Sequence, residues 1–171
     1  MTGAAPAEFS RLVPLVRLGP EPFRQDIVAT ETERAALAER FDLVSLDRLH
    51  AVVELTRQGR ELVLLHAAFE ADFVQRCVVT LDPVAGAVAE RFTLLYGPPE
   101  TEAEAGSGIG SEVAFEPLAG EAIDIGEAVA EEFSLALPPF PRRPDASIEN
   151  ELPPEAGPLG ELSRLVERRS G

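Results

Sequence analysis

Between Leu62 and Leu81 the chain reads LVLLHAAFEADFVQRCVVTL. The odd positions Val63, Leu65, Ala67, Phe69, Ala71, Phe73, Cys77, Val79 and Leu81 are apolar, with Gln75 the exception. The even positions mix Leu62, Leu64, Ala68, Val74 and Val78 with His66, Glu70, Asp72, Arg76 and Thr80. Alternation at period two is what a pleated strand needs when one face lies on a core and the other is partly wet. At about 3.3 Å per residue a straight strand of this length would overshoot a small domain. It must therefore bend, coil around a barrel, or break near Ala71 and Asp72. The expectation is one long bent strand, or two in line, forming the spine of a sheet.

A chain of 171 residues fits one domain with a real core and a tail. The N-terminal MTGAAPAEF has no basic stretch followed by an apolar one, and no later run approaches about 18 apolar residues, so a cytoplasmic protein without a membrane segment is expected. The single cysteine, Cys77, excludes an internal disulfide and a multi-cysteine metal site within the chain.

Charge constrains the partners. All 15 basic residues are arginine, and the net charge is -15. Residues 1–91 carry 14 acids against 10 arginines, residues 92–141 carry 10 acids and no base, and residues 142–171 carry 6 acids against 5 arginines. The middle segment is the acidic pole. Nucleic acid is a polyanion bound largely through cationic contacts, so such a chain is a poor free-standing RNA binder, and nothing in it suggests DNA. A basic partner suits it better.

Glu8 to Val16 and Phe23 to Thr30 read as short strands around Gly19-Pro20, with Pro14 confined to an edge or bulge because it cannot donate to a ladder. Thr30 to Phe41 reads as a helix, Thr30 and Glu33 having the spacing of a capping box. Leu49 to Arg57 fits either periodicity and is assigned to a strand, because Gln58-Gly59 then turns the chain into the long strand. After Asp82-Pro83 a further strand, Ala87 to Tyr96, carries Val88, Phe92 and Leu94 on one face. Residues 100–114, ETEAEAGSGIGSEVA, are small, acidic and glycine-rich, the composition of a mobile loop. Phe115 to Ala119 suggests a short edge strand. Asp124 to Leu137 is the clearest helix: Asp124 and Glu127 at its start, Ile125, Val129, Phe133 and Leu137 in one stripe, Pro138 at its end. Residues 147–171 read as a linker and a short terminal helix, Leu159 to Arg169. The domain expected is thus residues 1–146. Its fold class is α+β: a curved, mostly antiparallel sheet forming a partial barrel, with two or three helices.

Candidate sites are few. Cys77 falls on the apolar face of the spine and lacks the electropositive, accessible setting of a reactive thiol. His50 and His66 come near each other in the expected hairpin, where residue 50 lies opposite about residue 67. With Glu54 or Glu70 they could bind a metal, though no HExxH-like motif accompanies them. GSGIGS, Gly106 to Ser111, lacks the lysine and pattern of a phosphate loop. Arg142 and Arg143 form the one concentrated basic spot before the tail. No cofactor, metal or catalytic constellation is expected.

Three stretches carry a family resemblance: FVQRCVVTLDPV (Phe73 to Val84), ERFTLLYGP (Glu90 to Pro98) and EPLAGEAIDIGEAVAEEFSLALPPFPRRPDA (Glu116 to Ala146). Together the chain resembles the YceD family, the large ribosomal RNA subunit accumulation proteins, in the alphaproteobacterial form. The resemblance covers about residues 9–146, with a weaker echo in GPLGELSRLVERR. It implies a role in synthesis, processing or stability of large-subunit ribosomal RNA, in ribosome biogenesis rather than as an enzyme. Combined with the charge, it points to an assembly factor that holds a basic large-subunit ribosomal protein or a pre-ribosomal particle. Glu116, Asp124, Glu127, Glu131 and Glu132 would form the partner surface, joined by Arg142 and Arg143. Two alternatives stand beside it: direct RNA binding through an arginine patch (Arg142 and Arg143 with Arg164, Arg168 and Arg169), and a metal-dependent hydrolase built on His50 and His66.

Overall fold

The computed structural model describes residues 7–102, 113–118 and 120–146. The loop expected within 100–114 falls largely outside the described residues, as do the linker and terminal helix expected in 147–171.

Among the described residues, seven strands and two α-helices follow in the order β1 (Leu12–Pro14), β2 (Phe23–Val28), α1 (Glu31–Arg40), β3 (Ser45–Gln58), β4 (Leu62–Arg76), β5 (Pro83–Gly97), β6 (Ala114–Pro117), β7 (Ala122–Asp124) and α2 (Ile125–Ala136). Five strands form one sheet in the order β2-β3-β4-β5-β6, and β1 pairs with β7 in a separate two-stranded ribbon. All pairings are antiparallel except β5 with β6. The α+β reading with a mostly antiparallel sheet holds. The sheet is open rather than closed into a barrel, with β2 and β6 as its edges.

The spine is β4. Val63, Leu65, Ala67, Phe69, Ala71 and Phe73 are all buried, as the alternation requires. The strand runs through Ala71 and Asp72 without a break. Its partner β3 carries a register shift between Leu46 and Arg48, a bulge that bends and twists the ladder where length would otherwise be excessive. The strand ends at Arg76, earlier than Leu81. The Cys77 N–H donates to the Asp82 carbonyl and the Leu81 N–H to the Cys77 carbonyl, and Leu81 takes a left-handed φ of 63°. Those bonds make a turn. Apolar Val79 and Leu81 continue the alternation in sequence alone, and Leu81 is 72% exposed.

The β3–β4 hairpin closes from Gln58 opposite Leu62, leaving Gly59, Arg60 and Glu61 in the loop, with Gly59 at φ 72°. This loop is longer than the two-residue turn Gln58-Gly59 expected from sequence, and the register moves accordingly. His50 stands opposite Glu70 and His66 opposite Glu54.

Strand β1 is shorter than the expected Glu8 to Val16. It pairs with β7, which the sequence did not announce, and not with β2. Pro14 closes it, followed by a 3-10 turn at Leu15–Arg17.

Both helices pack on the inner face. In α1, Thr30 accepts from the Glu33 N–H while the Glu33 carboxylate accepts from the Thr30 N–H at 2.8 Å, a complete capping box. In α2, Ile125, Val129 and Phe133 are fully buried. Phe133 meets the rings of Phe41, Phe69 and Phe73 edge-on, with centroids 5.9, 6.4 and 5.8 Å away. The central aromatic of α2 therefore clamps the C-terminal end of α1 to the spine strand, in the edge-to-face geometry aromatic quadrupoles favour.

Candidate functional site

The acidic residues singled out from sequence divide into two groups. Asp124 and Glu127 are engaged within the fold. Asp124 Oδ1 accepts from the N–H groups of Gly126 and Glu127, both at 3.1 Å, and from the Arg11 N–H at 2.8 Å. Its Oδ2 accepts from the Ser10 hydroxyl. One carboxylate thus caps α2, satisfying N–H groups that the helix cannot use, and ties residues 10 and 11 to the helix start. Glu127 does not complete a capping box. Its carboxylate takes two hydrogen bonds from Arg40, at 2.8 and 3.0 Å, and Arg40 also reaches Glu8 at 2.9 Å. The bridge joins the last turn of α1 to the first turn of α2.

Glu116, Glu131 and Glu132 form the second group, on one pole of the molecule beside the β5–β6 edge. Partial burial raises the pKa of Glu131, with Glu127 and Glu116 adding to it and Arg40 partly offsetting. Burial likewise raises Glu132, followed by Glu131, Glu116 and Glu90. Tyr96, opposite Glu116 in the β5–β6 ladder, is pushed well above the usual phenol range, first by burial and then by Glu116, Glu131, Asp124 and Glu132. Glu116, Glu131, Asp124 and Glu132 therefore share a field around Tyr96, and Glu90 adds to it at Glu132. Crowded like charges disfavour ionisation, and an approaching cation relieves that cost.

Glu90 is the member that sequence reasoning missed. The signal lies in the alternation of β5: period two sets Glu90 on the same face as Val88, Phe92 and Leu94, opposite Phe69.

Arg142 and Arg143 are exposed. Arg143 is held by Asp145 at 3.1 and 3.2 Å and by Asp82 at 3.1 Å. The carbonyl of Pro141 accepts from the Val78 N–H, so the exit from α2 lies along the β4–β5 turn. Arg142 makes no ion pair among the described residues. These arginines follow the segment that lies along the β4–β5 turn, at the opposite end of β5 from Tyr96.

The two histidines do not converge. They sit four rungs apart on neighbouring strands, roughly 13 Å along the ladder. His50 Nε2 lies 3.5 Å from Asp26, and His66 Nδ1 lies 2.8 Å from the Thr93 hydroxyl. The expected proximity fails because the hairpin register differs by three residues. Among the described residues no three His, Cys, Asp or Glu side chains are grouped to hold a metal ion. His66 borders an open depression of about 530 Å³ on the outer sheet face, rimmed by Arg24, Glu54 and Arg91 over Val52 and Ala68.

Cys77 is fully buried, within the turn rather than on the strand. The Thr80 hydroxyl and the backbone N–H groups of Arg143, Thr80 and Val79 hold its thiol down to about 7. The sulfur gathers donors from both chain segments of the turn and has no exposed surface.

Among the described residues no helix is long and apolar enough to cross a membrane. No curated protein and no solved structure matches the chain. The family model described as large ribosomal RNA subunit accumulation protein YceD matches residues 65–164, spanning the spine strand, the acidic pole and α2, and the chain belongs to that family.

Proposed function

We propose that this chain is a non-enzymatic factor in the synthesis, processing or stability of large-subunit ribosomal RNA. It acts in the cytoplasm by holding a basic large-subunit ribosomal protein, free or within a pre-ribosomal particle. The family description supplies the link to large-subunit RNA. The observation that carries the choice of a basic partner is the field around Tyr96, where Glu131 and Glu132 are raised in pKa by burial and by neighbouring carboxylates. A lysine- or arginine-rich segment laid across this pole turns mutual repulsion into attraction and gains in on-rate from the net charge of -15. RNA meets the same field as an anion and is repelled.

The test is titration of the purified, nuclease-treated protein with individually purified basic large-subunit proteins and, separately, with large-subunit RNA. Binding to one of the proteins that weakens with salt, and that is lost in Glu131→Lys/Glu132→Lys, supports the reading. RNA binding with a steep salt dependence, lost on charge reversal of Arg142 and Arg143 and unaffected at Glu131 and Glu132, overturns it in favour of the arginine route.

A further inference from the structure

Among the described residues, strand β2 is an unpaired edge of the five-stranded sheet. The Ala29 N–H donates to the Leu49 carbonyl at 3.0 Å, in step with the ladder that sets Val28 opposite His50 and Arg24 opposite Glu54. Bonded and non-bonded pairs alternate in an antiparallel ladder. Phe23, Gln25 and Ile27 therefore bond to β3, and the N–H and C=O groups of Arg24, Asp26 and Val28 point away from it. Among the described residues, one of those outward groups is engaged: the Val28 carbonyl accepts from Arg11 Nη2 at 3.2 Å. The Arg24 and Asp26 side chains are exposed, and Val28 is 57% exposed.

We propose that β2 seats a second copy of this chain, its own β2 adding antiparallel about a two-fold axis at Gln25. Three registers place outward residues opposite one another near the middle of the strand, and charge selects among them. Setting Asp26 opposite Asp26, or Arg24 opposite Arg24, juxtaposes like charges, which is destabilising for directly opposed pairs. Setting Arg24 opposite Asp26 of the partner pairs opposite charges twice, because the axis repeats the contact. Gln25 then meets its own copy as a neutral amide. The same register sets Val28 opposite Pro22. Pro22 has no N–H to give, and the Val28 carbonyl that would have received it is already satisfied by Arg11.

The other edge is a poor alternative. β6 is 4 residues long, ends on Pro117 and carries Glu116 of the acidic pole. Because β2 and β6 lie at opposite edges, pairing through β2 keeps the two acidic poles far apart. Each is about 19 Å from the joint at roughly 4.8 Å per strand, beyond the screening length of about 8 Å at physiological salt. The dimer presents two acidic poles at the far ends of one continuous sheet.

The experiment is sedimentation equilibrium of the full chain up to roughly 200 µM, a range suited to a small, mainly backbone-mediated interface. Wild type is expected to show a monomer–dimer equilibrium, and Arg24→Asp and Asp26→Arg are each expected to stay monomeric. An equimolar mixture of the two variants restores opposite charges at both contacts and is expected to dimerise. Wild type that stays monomeric throughout, single variants that associate as wild type does, or a mixture that stays monomeric overturns the proposal. Hydrogen exchange on wild type checks it without substitution. The Arg24, Asp26 and Val28 amides are expected to slow as protein concentration rises, and concentration-independent exchange at all three rules the pairing out.

Discussion

Arg11 and Glu33, 22 residues apart in sequence, face each other through two hydrogen bonds of 2.6 and 3.0 Å. The same carboxylate closes the capping box of α1 through the Thr30 N–H. The Arg11 bonds come first among the causes that hold the Glu33 carboxyl down to about 2, against an ordinary value of 4.5. A carboxylate depressed on folding contributes stability above its unfolded pKa and loses it as pH falls through the folded one. Stability is therefore expected to drop between about pH 4.5 and pH 2. Glu33→Gln is expected to cost about 2 kcal/mol at pH 7 and to flatten that acid limb. Urea denaturation across the pH range measures both.

Glu131 and Glu132 have the opposite sign. Their pKa values are raised, so their penalty on the folded state is present at neutral pH and fades as pH falls through the raised values. Glu131→Gln and Glu132→Gln are expected to leave stability unchanged or raise it by up to about 0.5 kcal/mol each at pH 7, with the difference vanishing near pH 3. The same substitutions are expected to weaken binding of the proposed basic partner. Gain of stability together with loss of binding distinguishes a binding surface from a structural network, whose members lose both.

Phe133→Ala is expected to cost about 3–5 kcal/mol, because the ring is fully buried and its removal deletes an edge-on contact with each of three other aromatics. Leucine, closer in volume, is expected to cost less than alanine. Thermal unfolding of both variants reads the difference.

Gly126→Ala tests the seat of α2. A Cβ at this position would come within 2.4 Å of the Phe9 carbonyl oxygen and 3.0 Å of the Arg11 nitrogen, both backbone atoms that cannot swing aside. The expected loss is about 1–3 kcal/mol. Gly120, where a Cβ meets nothing within 4 Å, serves as control, with Gly120→Ala within about 0.5 kcal/mol of wild type.

The sequence by itself determined the local pieces. Period two along β4 named its buried face, and the Thr30–Glu33 spacing named the cap of α1. The stripe of Ile125, Val129 and Phe133 named the face that α2 buries. Each is a pattern closed within a few residues, where side-chain direction follows from backbone geometry alone. Tertiary structure decided what depends on partners far away in the chain. The hairpin loop fixed a register that parted His50 from His66, and hydrogen bonds to Asp82 and Pro141 turned Cys77 to Leu81 away from the strand their alternation suggested. Arg11 and Arg40 took up Asp124, Glu127 and Glu33, while Glu90 was brought beside Glu132. Charge can be counted along a chain, but which carboxylates are neutralised within the fold and which stay crowded at its surface depends on distances that only the packed elements set.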